Sequence, residues 1–218
     1  MTESIIIKNF GPINEVEIPD IKPFSVFVGK SGIGKSTIIK VMALFRWIFK
    51  RASLRAYLKL SNISTSPFKF DFRQYLKNGG MESYLKPDTV IVYRMGECTI
   101  SYSTDAGLVV GTIPSWDGIS LEKICFITDK RNILPDLTSG GTTIAIANFY
   151  LRELMMDYLD SVEQVIHLPL PYLNIDFNVN PKAPKSRRFM ISGHDATGDY
   201  SIKLQDASSG TQTVVPLS

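Results

Sequence analysis

Phe24-Ser25-Val26-Phe27-Val28-Gly29-Lys30-Ser31-Gly32-Ile33-Gly34-Lys35-Ser36-Thr37 is the stretch on which the reading of this chain turns. Phe24 to Val28 is a short apolar run of the kind found in buried strands, and it stops abruptly at Gly29. From Lys35 to Phe49 the apolar residues Ile38, Ile39, Met42, Phe45, Ile48 and Phe49 recur at spacings of three and four, which predicts an amphipathic helix. Strand, glycine-rich turn and helix form the first clear unit. Residues 29–37 also satisfy the pattern G-x-x-x-x-G-K-[ST] of a phosphate-binding loop. Each position has a physical reason. Gly29, Gly32 and Gly34 let the backbone approach phosphate oxygens, and the N–H groups of the loop (Lys30, Ser31, Ile33 and Thr37 among them) form an anion nest at a helix N-terminus. Lys35 supplies a point charge for the β- and γ-phosphates, and the Ser36 hydroxyl a ligand for Mg²⁺. The bland alternative is a glycine-rich turn with an incidental lysine. It does not account for the strand directly before and the helix directly after.

Composition bounds the rest. The chain has 218 residues, 44% hydrophobic and 21% charged, which excludes disordered and fibrous classes. That length suffices for a self-supporting core of about 70% buried surface. The longest apolar stretch, 38–49, is broken by Lys40 and Arg46 and falls short of the ~20 residues of a membrane span. The N-terminal residues do not read as a targeting signal, so a cytoplasmic protein with Cys98 and Cys125 as free thiols is expected. A net charge of +3 does not by itself indicate nucleic acid. The local basic clusters, Lys50-Arg51 with Arg55 and Lys182 to Arg188, read as solvated faces.

Outward from the loop, Ser4–Lys8 and Ile13–Ile18 flank the turn Asn9-Phe10-Gly11-Pro12 and predict a pair of strands. A helix ending at Gly79-Gly80 follows, then three strand-like runs, 89–94, 98–103 and 108–113, which suggest a meander. Residues 123–128 read as another strand. The apolar spacing from Thr143 to Tyr158 predicts a second helix, the longest of the chain. Four prolines between 168 and 185 suggest a surface excursion leading to two final strands, 188–192 and 200–204.

Near the C-terminus, Ser208-Ser209-Gly210-Thr211-Gln212 resembles the LSGGQ signature of the ABC ATPase superfamily at Ser209, Gly210 and Gln212. Ser209 and Gln212 also have capping-box spacing, so the segment is a helix start with or without a ligand. Taken in order, Ile7-Lys8-Asn9-Phe10-Gly11-Pro12-Ile13, the loop 29–37, a middle region with its own strands and Ser-Ser-Gly-x-Gln resemble the ABC-type AAA ATPases related to SMC proteins. Within these the chain is most similar to the bacterial Septu-type, retron-associated and OLD-like defence and repair group; residues 126–131 add a weaker likeness. The resemblance implies one α/β ATPase domain over residues 1–218. It would have a P-loop core sheet, an N-terminal antiparallel β layer, a variable middle region of about 51–160 and a signature at 208–212. It also implies ATP and Mg²⁺ as cofactors, and a head-to-tail homodimer in which Lys35 and Ser36 act in cis and Ser209 and Gly210 in trans. Gln74 is the candidate for the glutamine that reaches Mg²⁺ and the attacking water. DNA or an effector nuclease is the implied partner, in repair or anti-phage defence.

One family element is missing. A Walker B strand, an apolar run ending in Asp-Glu, should follow the signature helix, but only Thr213-Val214-Val215-Pro216-Leu217-Ser218 does. Neither His167 nor His194 stands where the family's switch histidine would. ATP binding with little hydrolysis by this chain alone is therefore expected, and residue 218 reads as a boundary cut through an ATPase. Loss of the central strand predicts an exposed sheet edge and self-association.

Overall fold

The computed structural model describes residues 2–63, 70–113, 124–128, 131, 133–139 and 149–217. The chain divides into two compact units, Met1–Cys125 and Phe126–Ser218.

The first unit is built on a five-stranded antiparallel sheet of order β2-β1-β3-β4-β5. Its strands are β1 (Glu3–Phe10), β2 (Ile13–Ile18), β3 (Leu85–Met95), β4 (Cys98–Ser103) and β5 (Gly107–Val110). The expected N-terminal pair and the expected meander thus merge into one layer, because β3 pairs with β1 as well as with β4. Alternation sets the buried face: Ile5 lies opposite Tyr93 and Tyr93 opposite Ile100, while Ile7 lies opposite Ile91 and Ile91 opposite Tyr102. All six are buried. An irregularity in the β1–β3 pairing at Asn9 (φ 50) shifts the register from Lys8 opposite Val90 to Phe10 opposite Leu85, and Phe10 is also buried.

Across this face lies α1 (Lys35–Leu60), which packs Ile38, Val41, Met42, Phe45 and Ile48 inward. Phe45 meets Tyr93 at 5.8 Å between ring centroids and Phe72 at 5.7 Å. Phe72 opens α2 (Phe72–Asn78), whose N-cap Asp71 accepts a hydrogen bond from the Gln74 amide. A half-buried polar anchor complements the apolar contacts. Arg46 donates two hydrogen bonds, of 2.7 and 2.6 Å, to the Glu3 carboxylate, and the Tyr93 hydroxyl donates a third to the same group. Burial and the neighbouring Glu3 carboxylate hold the Tyr93 phenol far above its ordinary titration range.

The second unit carries a four-stranded antiparallel sheet, β6 (His167–Leu170), β7 (Ile175–Val179), β8 (Phe189–Asp195) and β9 (Gly198–Lys203), in sequential order. Two further helices, α3 (Leu134–Ser139) and α4 (Phe149–Gln164), precede it, and α5 (Ser209–Val214) follows. Leu151, Leu154, Tyr158 and Val162, one stripe of α4, share a core with Phe177, Val179, Phe189 and Ile191 of the sheet.

Several expectations need correction. The segment 168–185 is no surface excursion: β7 pairs on both sides, and the prolines are accommodated at the edge strand β6 and in the connections. The longest helix among the described residues is α1, of 26 residues, against 16 for α4; the reading of 143–148 as helix lies outside the described residues. Residues 124–128 form no strand, and residue 123 lies outside the description. Phe24–Val28 joins no sheet either, and among the described residues both sheets are wholly antiparallel. The reason is local. The segment has the apolar content of a strand buried on both sides but no pairing neighbour among the described residues, and Phe24, Val26 and Val28 stand 85%, 68% and 88% exposed.

Candidate functional site

The loop 29–37 lies in the first unit and opens directly into α1. Gly34 is the N-cap, with φ +103, and no side chain caps the helix. Its carbonyl accepts the first helical hydrogen bond from the Ile38 amide, so the amides of Lys35, Ser36 and Thr37 start α1 without that support. The first turn carries no acidic residue. An uncapped, carboxylate-free helix N-terminus presents N–H donors and the positive end of the helix dipole to an anion.

Gly34 is required here for two reasons. Its backbone is left-handed, and a Cβ at this position would come within 2.7 Å of Ile13 Cγ1 and 3.4 Å of Pro12 Cγ. The turn of the N-terminal hairpin therefore braces the loop from behind. Ser31, Gly32 and Ile33 are exposed in front, and Lys30 and Ser36 are exposed beside them. Thr37 turns the other way and is buried.

Lys35 folds back over the loop. Its ammonium donates to the carbonyls of Gly29 (2.7 Å) and Lys30 (2.6 Å). These are neutral acceptors, so no carboxylate is among the ammonium's hydrogen-bond partners, and both carbonyl bonds could be exchanged for bonds to an anion's oxygens. The loop thus fits a polyphosphate. It fits the metal only in part: Ser36 offers one hydroxyl, and among the described residues no group of three His, Cys, Asp or Glu could hold an ion. Mg²⁺ would have to be carried chiefly by the phosphates.

Gln74 sits exposed on α2, where its amide nitrogen donates to Asn78 Oδ1 at 2.7 Å, one turn along the same helix. His194 and His167 lie on the second unit's sheet, facing Asp199 at 2.9 Å and Asp176 at 3.5 Å in exposed pairs.

The signature-like segment does begin a helix, α5, but the cap is Ser208 rather than Ser209. Ser208 Oγ accepts from the Thr211 amide at 3.3 Å and lies 3.0 Å from the Thr211 hydroxyl. Gln212 has a different task from the one its spacing suggested. Its side-chain nitrogen donates to the carbonyls of Gln205 (2.7 Å) and Ala207 (3.0 Å), tying α5 to the chain before it. Ser209 and Gly210 are left exposed on the first turn, and a Cβ at Gly210 would make an ordinary contact with Ser208 Oγ at 3.8 Å. Arg131 also supports this helix, donating through Nε to the Thr213 carbonyl at 3.3 Å and through its guanidinium to the Thr128 carbonyl. No spacing rule could have linked Arg131 to residue 213. The bracing of Gly34 by Ile13 was likewise invisible in the sequence, although both segments were singled out in it.

Residues 1–84 match the family described as the AAA ATPase domain. That span covers the N-terminal strand pair, the loop, α1 and α2, and it supports a nucleotide-binding, ATPase-like function. No curated protein and no solved structure matches the chain. Among the described residues no helix is long and apolar enough to cross a membrane.

Proposed function

We propose that the chain binds ATP in the loop 29–37 as an ABC/SMC-like ATPase module. The observation that carries this reading is the uncapped first turn of α1 with the Lys35 ammonium held over it by neutral carbonyls alone. The backbone amides of the loop and Lys35 hold the phosphates, and Ser36 gives the protein's one hydroxyl to a phosphate-borne Mg²⁺. When bound, that ion neutralises developing charge on the phosphates. The exposed start of α5 is suited to meet the γ-phosphate of a second copy through Ser209 and Gly210, which makes the assembly a head-to-tail homodimer. Repair or defence of DNA is the setting the resemblance suggests.

Titration calorimetry with Mg-ATP tests the reading. Lys35→Ala is expected to weaken binding at least tenfold with an unchanged melting temperature, since the side chain is half-exposed and holds only loop carbonyls. Equal affinity of parent and variant would remove the loop as the site.

A second reading, a nucleotide-gated module without turnover, is favoured by the lack of a ligating carboxylate cluster among the described residues. It expects ATP to change the oligomeric state while phosphate release stays at background. Robust turnover lost in Lys35→Ala would exclude it.

A further inference from the structure

The hairpin turn that braces Gly34 is itself held by a second segment, the chain around the start of β3. The Gly11 amide donates to the Tyr84 carbonyl at 2.9 Å, the Thr89 hydroxyl donates to the Asn9 carbonyl at 2.6 Å, and the Asn9 side-chain nitrogen donates to Asp88 Oδ2 at 2.6 Å. Thr89 is fully buried, and its oxygen also accepts from the Lys86 amide at 2.8 Å. That hydroxyl donates and accepts at once, so it is a fixed strut between the two segments.

The Tyr84 ring closes over the turn. A Cβ on Gly11 would come within 2.7 Å of both Cγ and Cδ2 of that ring, so the ring lies directly against the Gly11 backbone. Gly11 also has φ +54, and the position therefore admits only glycine on two independent grounds. Phe10 meets the Tyr84 ring edge-on at 5.6 Å and limits its swing. One short turn thus touches Tyr84 through Gly11 and Gly34 through Pro12 and Ile13. None of these contacts with Tyr84 involves a residue of the loop 29–37.

We infer that Tyr84 is a positioning residue of the phosphate loop, which it holds through Gly11 and the Pro12–Ile13 turn. The inference rests on the reading of residues 29–37 as a polyphosphate site. Gly34 is kept at φ +103, one of the many backbone states open to glycine, because the space beside it is filled by Ile13 and Pro12. Those side chains fill it only while the turn cannot recede. The Tyr84 ring and the three hydrogen bonds to residues 9–11 remove that freedom. A loop held in one conformation meets phosphate without a further ordering cost, whereas a loosened loop has to be ordered on binding and loses affinity. Tyr84 therefore acts on the ligand without touching it, and its removal leaves the motif itself intact.

Two measurements on the full chain test this. In calorimetry with Mg-ATP and with Mg-tripolyphosphate, Tyr84→Ala is expected to bind both about fivefold or more weakly and by similar factors, because the loop meets only the phosphates. Tyr84→Phe keeps the ring and is expected within about twofold of the parent. Nitrogen-15 relaxation of the nucleotide-free chain reads the loop directly. The amides of residues 29–34 are expected near the order parameter of about 0.85 of a rigid backbone in the parent and in Tyr84→Phe, and below about 0.6 in Tyr84→Ala. Ile100→Ala opens a cavity in the middle of β4, where Ile100 lies opposite Tyr93 and Val110, and controls for lost stability. Its melting temperature should fall while affinity and loop order stay at parent values. If Tyr84→Ala does not fold, Tyr84→Leu, which keeps apolar bulk against Phe10 but not the flat cover of Gly11, is read in its place, with a loss of about twofold or more. The inference is overturned if the Tyr84 variant without a ring leaves affinity or loop order unchanged, or if the parent loop is already flexible. It is also overturned if Tyr84→Phe behaves as Tyr84→Ala, or if Ile100→Ala loosens the loop as much. A parent that binds neither ligand removes the phosphate reading instead, and the relaxation data on the unliganded chain still decide whether Tyr84 holds the loop.

Discussion

Gly34 concentrates the constraints on the loop. Its φ of +103 and the 2.7 Å approach of Ile13 to a would-be Cβ mean that any side chain strains the backbone and displaces the hairpin turn. Gly34→Ala is expected to cost about 1–3 kcal/mol of stability, read by chemical denaturation, and to lower nucleotide affinity by more than Lys35→Ala does in calorimetry. The two substitutions separate shape from charge, since only the first should move the melting curve. Glu3 is the other decisive residue of this unit. It is 8% exposed and accepts from both Arg46 and Tyr93, so Glu3→Gln leaves the Arg46 guanidinium facing a neutral amide. Arg46 is itself 39% exposed, and water screens part of the loss. A destabilisation of about 1–3 kcal/mol is expected, measured as a lower denaturant midpoint with an unchanged slope.

Among the elements, Phe24–Val28 stands apart. It feeds the loop directly, yet three of its apolar side chains are exposed and no strand among those described pairs with it. Fully covering a side chain of this size contributes about 1.5–3 kcal/mol, so three such residues supply a strong drive toward any chain that adds a strand. Self-association of the isolated chain is the expected consequence. Replacing Phe24, Val26 and Val28 together by Ser should reduce it at least severalfold in light scattering without lowering the melting temperature, because these side chains support no part of the described core. By contrast, α1 is held on one side by the sheet and owes its position to packing rather than to a cap. That arrangement leaves its N-terminal amides open for a ligand.

At the scale of the whole molecule, every residue of the loop 29–37 lies in the first unit, whereas the signature-like helix proposed to meet a second copy's γ-phosphate lies in the second. The polypeptide 1–125 is therefore expected to bind Mg-ATP within about threefold of the full chain, while 126–218 binds none; calorimetry on the two pieces checks this. If the 1–125 piece folds but has lost affinity, the site draws on the second unit. The loop, its glycines and the helix after it were legible in the sequence because they are local: residue type and spacing dictate the turn and the amphipathic stripe. The N-terminal strand pair and the meander were legible for the same reason, as alternation bounded by turn residues. Their union into one sheet was not, since it depends on pairing across some eighty residues that no short-range pattern encodes. The role of Gln212, the support from Arg131, the brace of Ile13 on Gly34 and the cover of Tyr84 over Gly11 likewise came from tertiary structure. Sequence by itself determined which groups could bind a phosphate. Folding decided which of them are braced, capped or left exposed, because burial and long-range hydrogen bonding are properties of what lies nearby in space and not along the chain.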